Sequence, residues 1–308
     1  MRQLTDKKAI PAARRLYEYL CAIQGKACLT GQMESSWCST CEHEINYLLA
    51  CTGRMPAIRG LDFIDNDFLG VVRRAVDWHA RGGVVTICWH TGVDFASEYR
   101  HSQADDLDWD AALTLGTQAH RDLIAGMDRA VPYLRRLQEM NIPVLWRPFH
   151  EMDGKWFWWG RGGAEGFVTL WRLMYDRYVH HHGLHNLIWV LGFSDAPGDL
   201  QPWYPGDDVV DILGGDSYKG GAQGMLYRKC AAIAPEGMPI CYHENGEIPT
   251  RPMMEEEAAP WVWFMTWHTR WITSDEFNPG DRLREVYHDP YFITLNALPN
   301  LIVEGGEG

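Results

Sequence analysis

The sequence predicts an α/β protein of the (β/α)8, or TIM-barrel, class, and three observations carry that prediction. Eight short runs rich in apolar and β-branched residues recur along the 308 residues. Longer stretches with the apolar spacing of amphipathic helices lie between them. The short runs are nearly continuously apolar rather than alternating, as in a parallel sheet covered on both faces. Eight strand–helix repeats in about 300 residues is the requirement of a closed barrel. A doubly wound sheet would call for a glycine-rich phosphate loop after an early strand, and no G-x-G-x-x-G or Walker sequence occurs.

The expected strands follow in order. KACLTG occupies residues 26–31, RMPAIRGLD 54–62, GVVTICWH 83–90 and PVLWRPFHE 143–151. NLIWVLGF occupies 186–193, VVDILGGD 209–216, PICYHE 239–244 and WVWFMTW 261–267. Helical patterns cover 7–23, 67–81, 117–140 and 166–182. No linker divides the chain, so residues 1–308 are read as one catalytic barrel domain.

Composition narrows the function. The balance of 28 basic and 41 acidic side chains gives a net charge of −13, which disfavours nucleic acid as a partner. No run of 18 apolar residues exists, so no membrane partner is expected. The opening MRQLTDKKAIPAARRLYEYL has no apolar h-region and carries no secretory signal, which leaves a secreted protein with its leader removed or a cytoplasmic one. Fifteen Trp are an excess that either a large core or a cleft stacking on flat, neutral, C–H-rich sugar rings would explain.

Several strands end in chemistry, and in a barrel those ends converge on one mouth. The third ends Trp89-His90, the fourth His150-Glu151, the sixth Asp216-Ser217-Tyr218, the seventh His243-Glu244 and the eighth Trp267-His268. Two Glu at such ends, Glu151 and Glu244, are the minimum apparatus for glycoside hydrolysis. One protonates the departing oxygen, and the other attacks the anomeric carbon or activates water. Any single Glu is by default a surface or ion-paired carboxylate. Placement beside aromatics at apolar strand ends argues against that here.

WRPFHEMDGKWFWWG, residues 146–160, resembles the acid/base signature of glycoside hydrolase family 26, mainly endo-β-1,4-mannanases on (β/α)8 barrels. GQMESSW from Gly31, PAIRGLDF at 56–63, GGVVTICWH at 82–90, NLIWVLGFS at 186–194 and DILGGDSY at 211–218 resemble other strands of that family. The resemblance runs from about residue 10 to 300. It implies that Glu151 is the acid/base, Glu244 the nucleophile and the reaction a retaining double displacement. It further implies that His150 contacts the sugar at the cleavage site. His90 and Tyr218 would contact sugar and nucleophile, and Arg147 would brace a carboxylate. Trp156 would flank the acid, and Trp267 would underlie the sugar. Glu151 is expected to rest protonated, against an apolar wall, and Glu244 ionised, with Arg147, His243 and Tyr218 as partners. The expected substrate is β-1,4-mannan or a related neutral polysaccharide, the protein a monomer, and no metal or cofactor is called for.

Departures from the family pattern bear on the substrate. Asp153 stands where Asn is common, and His243-Glu244-Asn245 replaces a Thr-Glu followed by a small residue. β-1,3-Xylan and mixed-linkage β-glucan are the alternatives. A non-catalytic sugar-binding barrel would ordinarily have lost one of the two Glu. A metal-dependent hydrolase would need His-x-His on the first strand, which is absent.

Remaining motifs have plainer readings. Cys28, Cys88 and Cys241 read as buried thiols. Cys38-Ser-Thr-Cys41-Glu-His43 has the spacing of half a zinc site, but no second pair follows, so loop thiols or a local disulfide are favoured. His180–His182 and His185 fall at a helix end, opposite the mouth. The Asp-rich stretch 105–110 is expected to be a solvated loop that caps the next helix. Of Trp156, Trp158 and Trp159, one or two are expected to line the cleft, and Trp78, Trp171 and Trp189 belong to the core.

Overall fold

The computed structural model describes residues 2–301. Eight parallel strands form the barrel. They are β1 (Cys28–Met33), β2 (Ile58–Asp62), β3 (Val84–Cys88), β4 (Val144–Arg147), β5 (Leu187–Ser194), β6 (Ile212–Ser217), β7 (Ile240–Asn245) and β8 (Trp263–Thr266). Each pairs with the next, and β1 pairs with both β2 and β8, which closes the cylinder. A two-residue strand, β9 (Phe292–Ile293), lies against the start of β1. Every residue of the eight barrel strands is buried, which explains their continuous apolar character in the sequence.

Two strands are bounded by a proline, which has no N–H for the ladder, inside the run the sequence pattern suggests. The run 54–62 becomes a strand only from Ile58, and Pro56 makes an isolated antiparallel bridge to Thr294 instead. The run 143–151 leaves the sheet after Arg147, where Pro148 follows. Residues 148–151 form a turn in which Phe149 and Glu151 both take φ of +55°. The helical stretch 117–140 divides into Gln118–Met127 and Val131–Glu139 around a tight turn at Asp128–Ala130, with Pro132 in the first turn of the second helix. The stretch 166–182 runs as an α-helix from Gly163 to Tyr175 and widens into a π-turn at Asp176–His181.

Alternate residues of a strand face the barrel interior. Low in the barrel these are apolar: Ile58, Val84, Leu145, Ile188, Ile212 and Cys241 belong to one cluster with Leu16, Tyr17 and Leu20 of the helix Pro11–Ile23. Higher up, the same parity delivers Asp62, Arg147, Asp216 and His243, all buried. The polar layer therefore rests on an apolar floor. Trp78 and Trp171, on helices, and Trp189, on β5, are fully buried in the apolar cluster, as expected.

Candidate active site

Glu151 is positioned by the turn that Pro148 forces. Its amide donates to the Gly192 carbonyl at 2.8 Å, docking the turn onto β5. The neighbouring indoles fix the rest: Trp159 Nε1 donates to the His150 carbonyl at 2.7 Å and Trp158 Nε1 to the Thr91 carbonyl at 2.9 Å. Both rings are fully buried. Trp156 is the member of the trio that reaches the cleft, and its Nε1 donates to Glu151 Oε2 at 2.7 Å. Trp156 is thus more than the apolar wall expected from the sequence. Phe157 lines the cleft as well.

Glu244 lies near the end of β7, paired in register with Asp216 across an irregularity in the β6–β7 ladder. Arg147 Nη2 donates to Glu244 Oε1 at 2.6 Å, and the Tyr218 hydroxyl donates to Oε2 at 2.8 Å. His150 Nε2 stands 3.6 Å from Oε1, and its buried Nδ1 has no hydrogen-bond partner among the described residues. His243, expected to partner Glu244, instead contacts Asp216 Oδ1 at 2.7 Å through Nδ1 and faces Arg147 Nη1. The reason is the pleat: consecutive residues 243 and 244 cannot share a face, and the bulge brings only Glu244 to the mouth. His243 occupies the barrel interior, where Gly192 and Gly214 leave it room. A Cβ on Gly192 would stand 2.6 Å from the His243 ring.

Burial first, then the charge of Glu244, pushes the Glu151 carboxyl up to about 8, against the opposing pull of the Trp156 N–H. Burial, followed by His90 and Arg147, holds the His150 imidazole well below its ordinary range. Burial and Arg147 do the same for His243. Burial and the two Glu raise Asp216 well above the usual carboxylate range. Asp216 and His243 both move towards their uncharged forms, so their contact is a neutral hydrogen bond rather than an ion pair. Asp62 moves the other way. Burial works to raise it, but its contact with His90 Nδ1 at 2.6 Å and the His90 amide at 3.0 Å outweigh that and hold it low.

These groups face a cleft of about 250 Å³ lined by His90, His150, Glu151, Trp156, Tyr218, Glu244 and Trp267. Arg147 lies beneath, 5.9 Å from the Trp267 ring centroid. The eight residues singled out in the sequence are therefore brought to one mouth. Besides Phe157, three further walls escaped the sequence reading: Tyr99 and Gln103, both in the short helix Tyr99–Ala104 that follows β3, and Trp271, in the short helix Arg270–Thr273. A second cavity of about 360 Å³ adjoins the cleft, sharing His90, Tyr99 and Trp267 and adding Trp37, Glu34 and His268.

Two groups of metal-ligating side chains occur in the barrel mouth, Asp62–Cys88–His90 and Asp216–His243–Glu244. Neither suits a cation. The first is closed by the Asp62–His90 hydrogen bonds, and the second already surrounds the guanidinium of Arg147. The Asp-rich loop is plain as well: Asp108 caps the helix Trp109–Leu113 by accepting from the Ala111 amide.

The family model of glycosyl hydrolase family 26 matches residues 5–297. The chain belongs to glycosyl hydrolase family 26. Within the family, the chain is 34% identical over 318 aligned positions to a mannan endo-1,4-beta-mannosidase of Thermothelomyces thermophilus, covering 96% of this chain and 63% of the relative. It is 31% identical to mannan endo-1,4-beta-mannosidase B of a Piromyces species, covering 99% of this chain and 55% of the relative. The chain thus spans just over half to under two thirds of the length of these curated relatives. A ruminal family 26 endo-β-1,4-mannanase superposes with a TM-score of 0.89 at 29% identity, over 96% of this chain and 70% of that structure.

Proposed function

We propose that this family 26 barrel is a retaining endo-β-1,4-mannanase, with Glu151 as acid/base, Glu244 as nucleophile and the described chain acting as one catalytic unit. The observation that carries the reading is the division between the two carboxyls. Glu151 is raised to about 8 in a half-closed aromatic setting, and Glu244 is held by a buried guanidinium and a phenol. Glu151 is thereby kept as a proton source, and the two hydrogen bonds fix Glu244 in place for attack. The mannanase relatives supply the substrate class.

In the first step Glu151 gives its proton to the glycosidic oxygen as the C1–O bond breaks, and a Glu244 oxygen forms the ester to C1. Attack consumes the negative charge of Glu244, so the second-largest cause raising Glu151 is removed. Glu151, left ionised by that transfer and no longer facing the charge of Glu244, takes the proton of an incoming water. The water oxygen bonds to C1, the ester breaks, and the product keeps its β configuration. The buried, neutral His150 stands beside Glu244 without competing for its charge, and is placed to donate to a sugar hydroxyl. Trp267 offers the stacking face beneath the reacting sugar, with His90 and Tyr218 at its edge.

Initial rates on linear mannan, galactomannan, glucomannan, β-1,3-xylan and mixed-linkage β-glucan test the substrate class, with the anomeric form of nascent product followed by NMR. Faster hydrolysis of linear or decorated β-1,4-mannan, with β product first, is expected. A preference for xylan or mixed-linkage glucan would move the substrate, and α product first would remove the double displacement.

A further inference from the structure

We propose that Cys38, His43 and Glu44, on the connection between β1 and the helix His43–Thr52, bind a divalent ion of borderline softness such as zinc, as a structural clip. The proposal does not depend on the glycosidase reading. One ligand atom from each of the three residues lies within 4.8 Å of the others, and the set supplies sulfur, nitrogen and oxygen. In a tetrahedral zinc site with bonds of about 2.0–2.3 Å, ligand atoms stand roughly 3.5 Å apart. Closing the present arrangement onto an ion therefore needs side-chain movements on the order of 1 Å.

Glu44 supplies the second, independent observation. Its side chain is fully buried, yet no Lys or Arg pairs with it among the described residues. The contrast with nearby Glu34 is direct, since Glu34 is held by both Arg59 and Arg74. A carboxylate removed from water is costly unless it is paired or coordinates a metal. Neutral donors orient Glu44: the Ser35 hydroxyl at 2.7 Å and the Thr269 amide at 2.9 Å both donate to Oε1. Among the described residues, Oε2 accepts only from the Ser35 amide, at 3.3 Å. That is the pattern of a metal-bound carboxylate, with one oxygen aimed by surrounding donors and the other left for the ion.

His43 and Glu44 stand in the first turn of their helix, where the dipole opposes a cation. A thiolate and a carboxylate together cancel a double positive charge, so the bound site is neutral. Cys38 and His43 are part-exposed, which gives an ion a way in. The chain spacing points to Cys41 as the second ligand, but Cys41 lies outside the cluster, and its carbonyl accepts from Arg59 Nη2 at 2.8 Å. Water would complete the tetrahedron.

The clip has a place in the architecture. Trp37 precedes Cys38, is 55% exposed, and meets the His268 ring edge-on at 4.5 Å in the wall of the cavity adjoining the cleft. An ion at Cys38–His43–Glu44 would fix the segment that carries this indole.

The test uses the whole chain, reduced and freed of metal. Zinc is titrated against a chromophoric chelator, and cobalt is added separately to look for thiolate-to-metal absorption. About one equivalent per chain and a cobalt–thiolate band are expected. Cys38→Ser and His43→Asn should each weaken zinc at least about tenfold, and Ser35→Ala by about 10–100-fold through the lost orientation of Glu44. Cys41→Ser should leave the affinity unchanged. Circular dichroism of each variant separates lost ligation from lost folding. Absence of the cobalt–thiolate band, zinc affinity indifferent to Cys38→Ser in a folded variant, or loss of binding in Cys41→Ser would each overturn the assignment.

Discussion

The indole N–H of Trp156 donates to Oε2 of Glu151 at 2.7 Å, while Asp153, two residues on, bears on the same carboxyl with its negative charge. The two neighbours pull in opposite directions. The N–H favours the ionised form of Glu151, and Asp153 disfavours it. Asp153 is itself raised to about 6 by burial, so it is charged over the range in which Glu151 titrates. The proposed acid works only when protonated, so kcat/KM should fall as pH rises through about 8. Trp156→Phe removes the stabilising N–H and should move that limb to higher pH. Asp153→Asn keeps an acceptor for the Ser194 amide, bonded at 2.8 Å, and should move the limb lower. Full pH profiles of the three proteins check this, and shifts in the same direction would refute it.

Glu151→Ala should slow mannan hydrolysis by about 10²–10⁴-fold, while activated aryl glycosides lose far less, because their leaving groups need no proton. With such a substrate the limb near 8 should flatten. Equal losses on both substrate types would assign Glu151 to structure or to nucleophilic attack.

Glu244→Ala should abolish turnover. Azide fits the space left by the carboxylate and attacks from the same face, so it should restore part of the activity and release an α-glycosyl azide. NMR of the product decides. A β-azide would mean that the attacking group lies on the other side of the sugar.

Gly192→Ala should destabilise the protein by about 1–3 kcal/mol, because the new methyl meets the buried His243 ring. The ring cannot swing away without giving up Asp216 and Arg147. Denaturant unfolding measures the loss. The double variant Gly192→Ala/His243→Ala should recover part of it, and strict additivity would place the strain elsewhere.

Much of the barrel could be read from the chain because parallel strands buried on both faces are uniformly apolar. Pro56 and Pro148 hid two strand boundaries, since apolar neighbours carry the pattern past the residue that ends the ladder. Glu151 and Glu244 were legible because a carboxylate directly after an apolar strand has few structural reasons to be there. Tyr99, Gln103 and Trp271 were not, because they stand in helices too short to show a periodicity that would place them. The Asp216–His243 contact depends on register between two strands, which one strand's sequence does not contain. Trp37 and Glu44 needed the fold itself: only the closed barrel brings residues 35, 44 and 269 together.

Glu151 holds a φ of +55°, a left-handed conformation that costs a residue with a side chain about 1–2 kcal/mol. Asn or Gly would occupy it with less strain, and either would also spare the barrel a buried, proton-hungry carboxyl. A screen that rewarded heat resistance alone would therefore tend to discard this Glu early. Under the proposed role of Glu151, directed evolution of a hardier variant would have to assay activity in every round to keep it.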